Sequence, residues 1–319
     1  MADKNHAPAT IKSRIVCLAG GVGGAKLAHG LAQIVPPNQL TIVVNTGDDF
    51  QHLGLAICPD LDTVMYTLGS VANPETGWGR EGESWITIEE VMRLDGPAWF
   101  RLGDLDLATH LVRSQMLAGG RSLTQATHHL CSHFDVAPPL LPMSNQPAPT
   151  YIQTEDRLLP FQEWFVRERW QPAVRVVQLP ENVHATPQVV RALETADLVL
   201  IAPSNPFVSV DPILNVYPIR ELIMDLPRAV VAVSPIVGGQ ALKGPAAKMM
   251  AEKGMPVSAS AVAGYYGDLL DGFVIDSQDE DQEHELNQAA LVTNTIMRDA
   301  ADRRRLAQEM LQFAMELAA

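Results

Sequence analysis

The stretch 15–27, IVCLAGGVGGAKL, constrains this chain most: a short apolar run stops at four glycines within five residues, then resumes with helical spacing. A buried strand, a tight turn and a helix start fit that order. Gly20, Gly21, Gly23 and Gly24 are able to take positive φ and let a ligand approach bare backbone, while the first N–H groups of the following helix point outward without partners. Such a turn suits phosphate. It meets neither standard motif, because Lys26 stands where a G-x-G-x-x-G/A fingerprint needs its third small residue, and Ala25 and Leu27 flank it where a P-loop needs Gly and Ser or Thr.

After a helix expected at 24–35 and a Pro36-Pro37-Asn38 turn, residues 40–45 read as a second buried strand. Strand, helix and strand within about thirty residues imply a parallel pair with a right-handed crossover. Further strand candidates at 174–179, 198–202, 229–234 and 273–276 are separated by helical patterns. The expected class is therefore α/β, a Rossmann-like doubly wound, mainly parallel sheet in a single domain over 13–319, with 1–12 as a flexible tail. Helical periodicity at 86–94, 104–117 and 123–134 breaks the alternation, so 63–150 reads as a mostly helical insertion. Residues 151–154 and 157–160 fit a small hairpin, 298–319 a closing amphipathic helix, and 276–285 an acidic loop or helix start.

A net charge of −14 opposes binding to a nucleic-acid backbone, which depends on a basic surface. No apolar run approaches the roughly 18 residues of a membrane span, and residues 1–12 lack an apolar signal region. Cys17, Cys58 and Cys131 are odd in number and widely spaced, which suits buried thiols in a reducing compartment. A cytoplasmic protein without membrane attachment is expected.

Asp48 and Asp49 follow the second strand directly, and Asp60 and Asp62 come shortly after, at the strand-tip rim where open α/β sheets bind ligands. Carboxylates beside a phosphate turn suggest a hard cation such as Mg²⁺. Plainer roles exist: Asp60 as N-cap of a helix starting near Leu61, Asp48 and Asp49 as a solvated turn, Asp62 as a first-turn acid favoured by the helix dipole. Arg101 is either a contact to a polar substrate, a surface arginine or an ion-pair partner of Asp104. Two later strands end in donor-rich loops carrying Ser204 and Asn205, and Gly238, Gly239 and Lys243; with the first turn they favour a nucleotide diphosphate. The nine histidines show no H-E-x-x-H spacing; His128, His129 and His133 suit structural roles, and His110 lies nearest the rim. No G-x-S-x-G occurs, and a covalent mechanism has little support.

Taken in order, GGVGGAK (20–26), VNTGDD (44–49), CPDLDTVMY (58–66), RLGDLDLATH (101–110), LPMS (141–144), APSNP (202–206) and SPIVGG (234–239) resemble the 2-phospho-L-lactate transferases of coenzyme F420 biosynthesis. The resemblance implies a Mg²⁺-dependent Rossmann-like transferase, tending to dimerise. It would move a phospholactyl or phosphoenolpyruvyl group from a guanosine-diphosphate-linked donor to the deazaflavin Fo, releasing GMP. It puts Asp62 and Arg101 at the positions that hold Fo, and Asp48, Asp49 and Asp60 where metal or substrate contacts are expected. The glycine turn with Lys26, Ser204–Asn205 and Gly238–Gly239 should surround the nucleotide. Asp62 or Asp48 then accepts or orients the hydroxyl proton. Regulators of the gluconeogenesis-factor type, which bind a nucleotide-sugar, are similar in fold, but their glycine- and serine-rich stretch after the acid pair is replaced here by 50–62. An NAD-dependent oxidoreductase is disfavoured by Lys26 and by the lack of a placeable catalytic Lys-Tyr or His-Asp pair.

Overall fold

The structure is a computed structural model describing residues 13–319, so the tail expected at 1–12 lies outside the described residues. Seven strands form the main sheet: β1 (Ile15–Ala19), β2 (Leu40–Val44), β3 (Leu140–Pro142), β4 (Leu198–Ile201), β5 (Ala229–Val233), β6 (Gly272–Asp276) and β7 (Ala289–Thr293). Their spatial order is β7-β6-β5-β4-β1-β2-β3, with every neighbouring pair parallel. The α/β class expected from the sequence is the one observed. In β1, Val16 and Leu18 enter one apolar layer while Ile15, Cys17 and Ala19 enter the other. A parallel strand buried on both faces has no polar side, which is why the run is apolar throughout.

The chain winds outward from β1 in both directions, so the order reverses between β1 and β4. A crevice opens there beyond the carboxyl ends of the strands. Helix α1 (Gly21–Ala32) fills the crossover to β2 and packs against α2 (Pro59–Leu68) and the C-terminal α6 (Ala300–Leu317).

Helix α1 starts three residues before the expected 24, which changes what the glycines are for. Gly20 is extended, and among the four only Gly21 has a positive φ, 62°. Gly23 and Gly24 lie inside the first turn, where the need is for space: a Cβ on Gly23 would lie 2.2 Å from the Pro203 carbonyl oxygen, and one on Gly24 3.2 Å from the Ala19 Cα.

Helices α3 (Ile86–Arg93), α4 (Asp104–Ala118) and α5 (Leu123–His133) follow the expected periodicity within one or two residues. This excursion runs between Leu68 and Leu140, narrower than 63–150, because α2 packs on α1 and Leu140 already belongs to the sheet. Residues 174–179 do not join the main sheet. Val176–Gln178 pairs antiparallel with Tyr151–Gln153, which also pairs with Leu158–Pro160. β3 and β7 carried no clear sequence signal: both are edge strands, β3 has three residues ending in proline, and β7 is at best half-buried. Among the described residues no helix is long and apolar enough to cross a membrane.

Candidate active site

A cavity of about 860 Å³ occupies the crevice. Its base is the start of α1, where the Ser204 hydroxyl donates to the Gly20 carbonyl (2.8 Å) and accepts from the Gly20 N–H (3.3 Å), tying the loop after β4 to the tip of β1. Asn205 is also committed locally, its Oδ1 accepting the Phe207 N–H at 3.0 Å. Gly20, Gly21, Gly23, Lys26, Ser204 and Asn205 all line the cavity. Gly238 and Gly239 do not. They make the positive-φ turn between Ile236–Val237 and Gln240–Ala241, and the Gly238 N–H donates to the Asp279 carboxylate at 3.0 Å. Lys243, beyond that hairpin, is what reaches the cavity, its Nζ donating to the Thr76 carbonyl at 2.7 Å. Lys26 faces it from α1, with Nζ on the Met297 carbonyl at 2.6 Å. Burial, Arg303 and Lys243 hold Lys26 below the usual lysine range. A lysine whose charge is disfavoured by neighbouring cations marks a region that attracts anions.

Opposite the lysines, Asn45 closes β2 with its side chain fully buried. Its Oδ1 accepts the Gly47 N–H (2.7 Å), and its Nδ2 is shared between Asp48 Oδ1 and Asp60 Oδ2, both at 2.9 Å. Gln162 donates to the other Asp48 oxygen at 3.1 Å. Asp60 is not an N-cap: α2 begins at Pro59 after Cys58, which leaves the Asp60 carboxylate free to meet Asn45 beside Gly20. Burial and the neighbouring Asp60 raise the Asp48 carboxyl well above the carboxylate range, and burial pushes Asp60 up to about 6. Two buried carboxylates bridged by one neutral amide lack positive charge, and that deficit fits a divalent cation.

The same deficit has a thermodynamic sign. A carboxyl whose folded pKa lies above its unfolded value stabilises at low pH and loses that contribution as pH rises through the folded value. Metal-free Asp60→Asn is therefore expected to be more stable than the parent at pH 7.5, by on the order of 3 kcal/mol for a shift of about two units. The difference should vanish near pH 4. Melting curves of both proteins from pH 4 to 8 in EDTA check it; a difference that does not depend on pH would contradict it.

Asp49 lies apart from this pair. Its carboxyl, raised by burial, faces Cys58 and the Arg113 charge, and it is not among the cavity-lining residues. Asp62 does line the cavity, but the sequence reading missed its partner: Arg113, 1% exposed on α4, grips both Asp62 oxygens, one at 2.9 Å. His110 lies between Asp62 (3.6 Å) and Asp106 (3.4 Å), and Tyr66 donates to Asp106 at 2.7 Å. Ligand atoms of Asp62, Asp106 and His110 fall within 4.8 Å of one another, yet the guanidinium already supplies the cation there. The missed signal is legible in retrospect: Asp106, His110 and Arg113 recur at helical spacing, a polar stripe turned inward. Arg101 lines the cavity, stacked over the Trp85 ring at 4.6 Å. It does not pair with Asp104, which instead accepts the Ile86 and Thr87 N–H groups at the start of α3.

Beyond Asp62 the wall turns aromatic. Trp99 and Phe100, packed with Phe50 and His52, line the cavity, as do Phe161 and Phe165, which stack on each other. The cavity thus joins an anion-attracting end, an acid pair and an apolar slot for a flat ring.

Residues 15–315 match the family described as 2-phospho-L-lactate transferase CofD. The chain belongs to the CofD family. Phosphoenolpyruvate transferases from Kitasatospora aureofaciens and Streptomyces coelicolor are 45% and 42% identical, covering 84% and 95% of this chain and 86% and 99% of their own. The 2-phospho-L-lactate transferase of Methanosarcina mazei is 38% identical over 93% of this chain and 99% of its own. A UPF0052-family structure from Bacillus halodurans superposes with a TM-score of 0.63, covering 95% of this CofD-family chain and 100% of its own; at 15% identity it shows the fold alone. The chain is accordingly a transferase of the CofD family.

Proposed function

We propose that this protein transfers a phosphoenolpyruvyl or 2-phospholactyl group from a guanosine-diphosphate-linked donor to the ribityl hydroxyl of the deazaflavin Fo, releasing GMP. The observation that carries the reading is one cavity that joins the buried Asp48–Asp60 pair and the glycine helix start to a slot walled by Trp99, Phe100, Phe161 and Phe165. Higher identity to phosphoenolpyruvate transferases than to 2-phospho-L-lactate transferases favours the enolpyruvyl donor. The donor's diphosphate lies between the α1 N-terminus and Lys26 and Lys243, with Arg101 and the aromatic slot taking Fo. The hydroxyl oxygen attacks the phosphorus bearing the phospho-acid, and the bond from that phosphorus to the bridging oxygen breaks, leaving its electron pair on GMP. Catalysis of such a displacement is mostly positioning and electrostatic stabilisation, so holding the hydroxyl in line matters more than a strong base. Asp62, clamped by Arg113, orients the hydroxyl and takes its proton, which leaves Asp48 to the cation. Mg²⁺, held by Asp48 and Asp60, would neutralise charge on the diphosphate oxygens.

Incubating the protein with Fo, the GDP-linked phosphoenolpyruvate donor and Mg²⁺ should give GMP and the phosphodiester product in equal amounts by mass spectrometry. Absence of both products with folded protein would refute the assignment, and a thermal shift with a UDP-sugar but none with Fo would replace it with nucleotide-sugar binding. Trp99→Ala is expected to weaken Fo binding by about tenfold, the loss of one aromatic contact of roughly 1–3 kcal/mol. Fluorescence titration of Fo, with GDP affinity as the control, measures that.

A further inference from the structure

We infer that Arg113 is a positioning residue for the acceptor alcohol, acting through Asp62. This rests on the proposed transfer to an alcohol and adds the element that sets the acceptor's orientation. Asp62 lines the cavity; Arg113, buried on α4, does not, so its effect on a ligand passes through the side chains it holds, chiefly the Asp62 carboxylate that it grips by both oxygens. The guanidinium bonds both Asp62 oxygens from below, and its NH1 also meets His110 Nδ1 at 3.2 Å. A planar fork on a planar carboxylate fixes rotation about the last side-chain bond, which a single ammonium contact does not. Each carboxylate oxygen has two lone-pair sites, so the fork leaves one on each oxygen, held at fixed angles on a side chain that lines the cavity. Arg113 makes no hydrogen bond to Lys26, Lys243, Asp48 or Asp60. Arg113 therefore orders the acceptor's hydroxyl without touching the nucleotide site.

A double-mutant comparison tests this. Arg113→Lys keeps the charge and loses the fork; it is expected to weaken Fo binding and lower kcat, each by about tenfold, with GDP affinity changed less than about twofold. Asp62→Asn alone should have an equal or larger effect. Adding Arg113→Gln to Asp62→Asn, which removes both charges and leaves an amide pair, should then change Fo affinity no further, and this comparison stands even where Arg113→Lys folds poorly. Additive losses, or an equal loss of GDP affinity, overturn the inference while leaving the transferase reading intact. A wild-type protein that binds GDP but not Fo overturns both.

Discussion

Asp60→Asn should cost the enzyme at least about 10²-fold in transfer rate, with Fo binding nearly unchanged and Mg²⁺ affinity greatly reduced. The reason is electrostatic. Asn45 donates to both Asp48 and Asp60 but carries no charge, so in the metal-free protein the buried pair is driven towards its protonated form, and a divalent cation would supply the missing positive charge. Asparagine at 60 removes one of the two carboxylates proposed to face the cation and puts a neutral amide in its place. It also relieves the repulsion that raises Asp48, whose basicity falls toward the ordinary carboxylate range. Activity against Mg²⁺ concentration, with metal binding followed separately by calorimetry, reads both effects. Asp60→Asn with wild-type Mg²⁺ affinity would show that the pair holds no metal.

Gly23→Ala is expected to be the most destabilising single methyl in this chain's glycine turn, on the order of 3 kcal/mol or roughly 4–5 °C in Tm. The added carbon would sit 2.2 Å from the Pro203 carbonyl, so either α1 or the loop carrying Ser204 must retreat. Both are anchored, α1 by its packing on α2 and α6, the loop by the Ser204–Gly20 hydrogen bonds. Gly21→Ala is the informative control. Its φ of 62° carries the left-handed penalty of about 1–2 kcal/mol, but nothing lies within 4 Å of its Cβ position. Thermal melts that rank Gly21→Ala below Gly23→Ala in stability would reverse the roles assigned to the two glycines.

These two residues also mark the boundary between what is readable in order along the chain and what is not. A buried strand followed by glycines and a helix is local, and so was evident: its burial on both faces demands an apolar run, and its turn demands small residues. That Asp48, Asp60 and Asp62 gather at one rim follows equally from position, because strand tips in a parallel sheet share an edge. Which glycine needs a left-handed backbone and which needs room is a question about Pro203, 180 residues away in sequence, and no local pattern reports it. Gly238 and Gly239 show the converse. Their spacing after a strand matches a ligand loop, but a hairpin turn consumes them.

The sequence by itself determined the α/β winding, the helical excursion before Leu140, and the placing of acids and glycines at the strand ends, because each depends on periodicity or on chain order. Tertiary structure alone decided that Arg113 reaches 51 residues back to hold Asp62, and that Trp99 and Phe161, and Lys26 and Lys243, come from separate segments to line one cavity. Those pairings are made by side chains that approach only after the sheet has closed. Their energies lie in burial and charge between distant segments, which the linear order of residues does not encode.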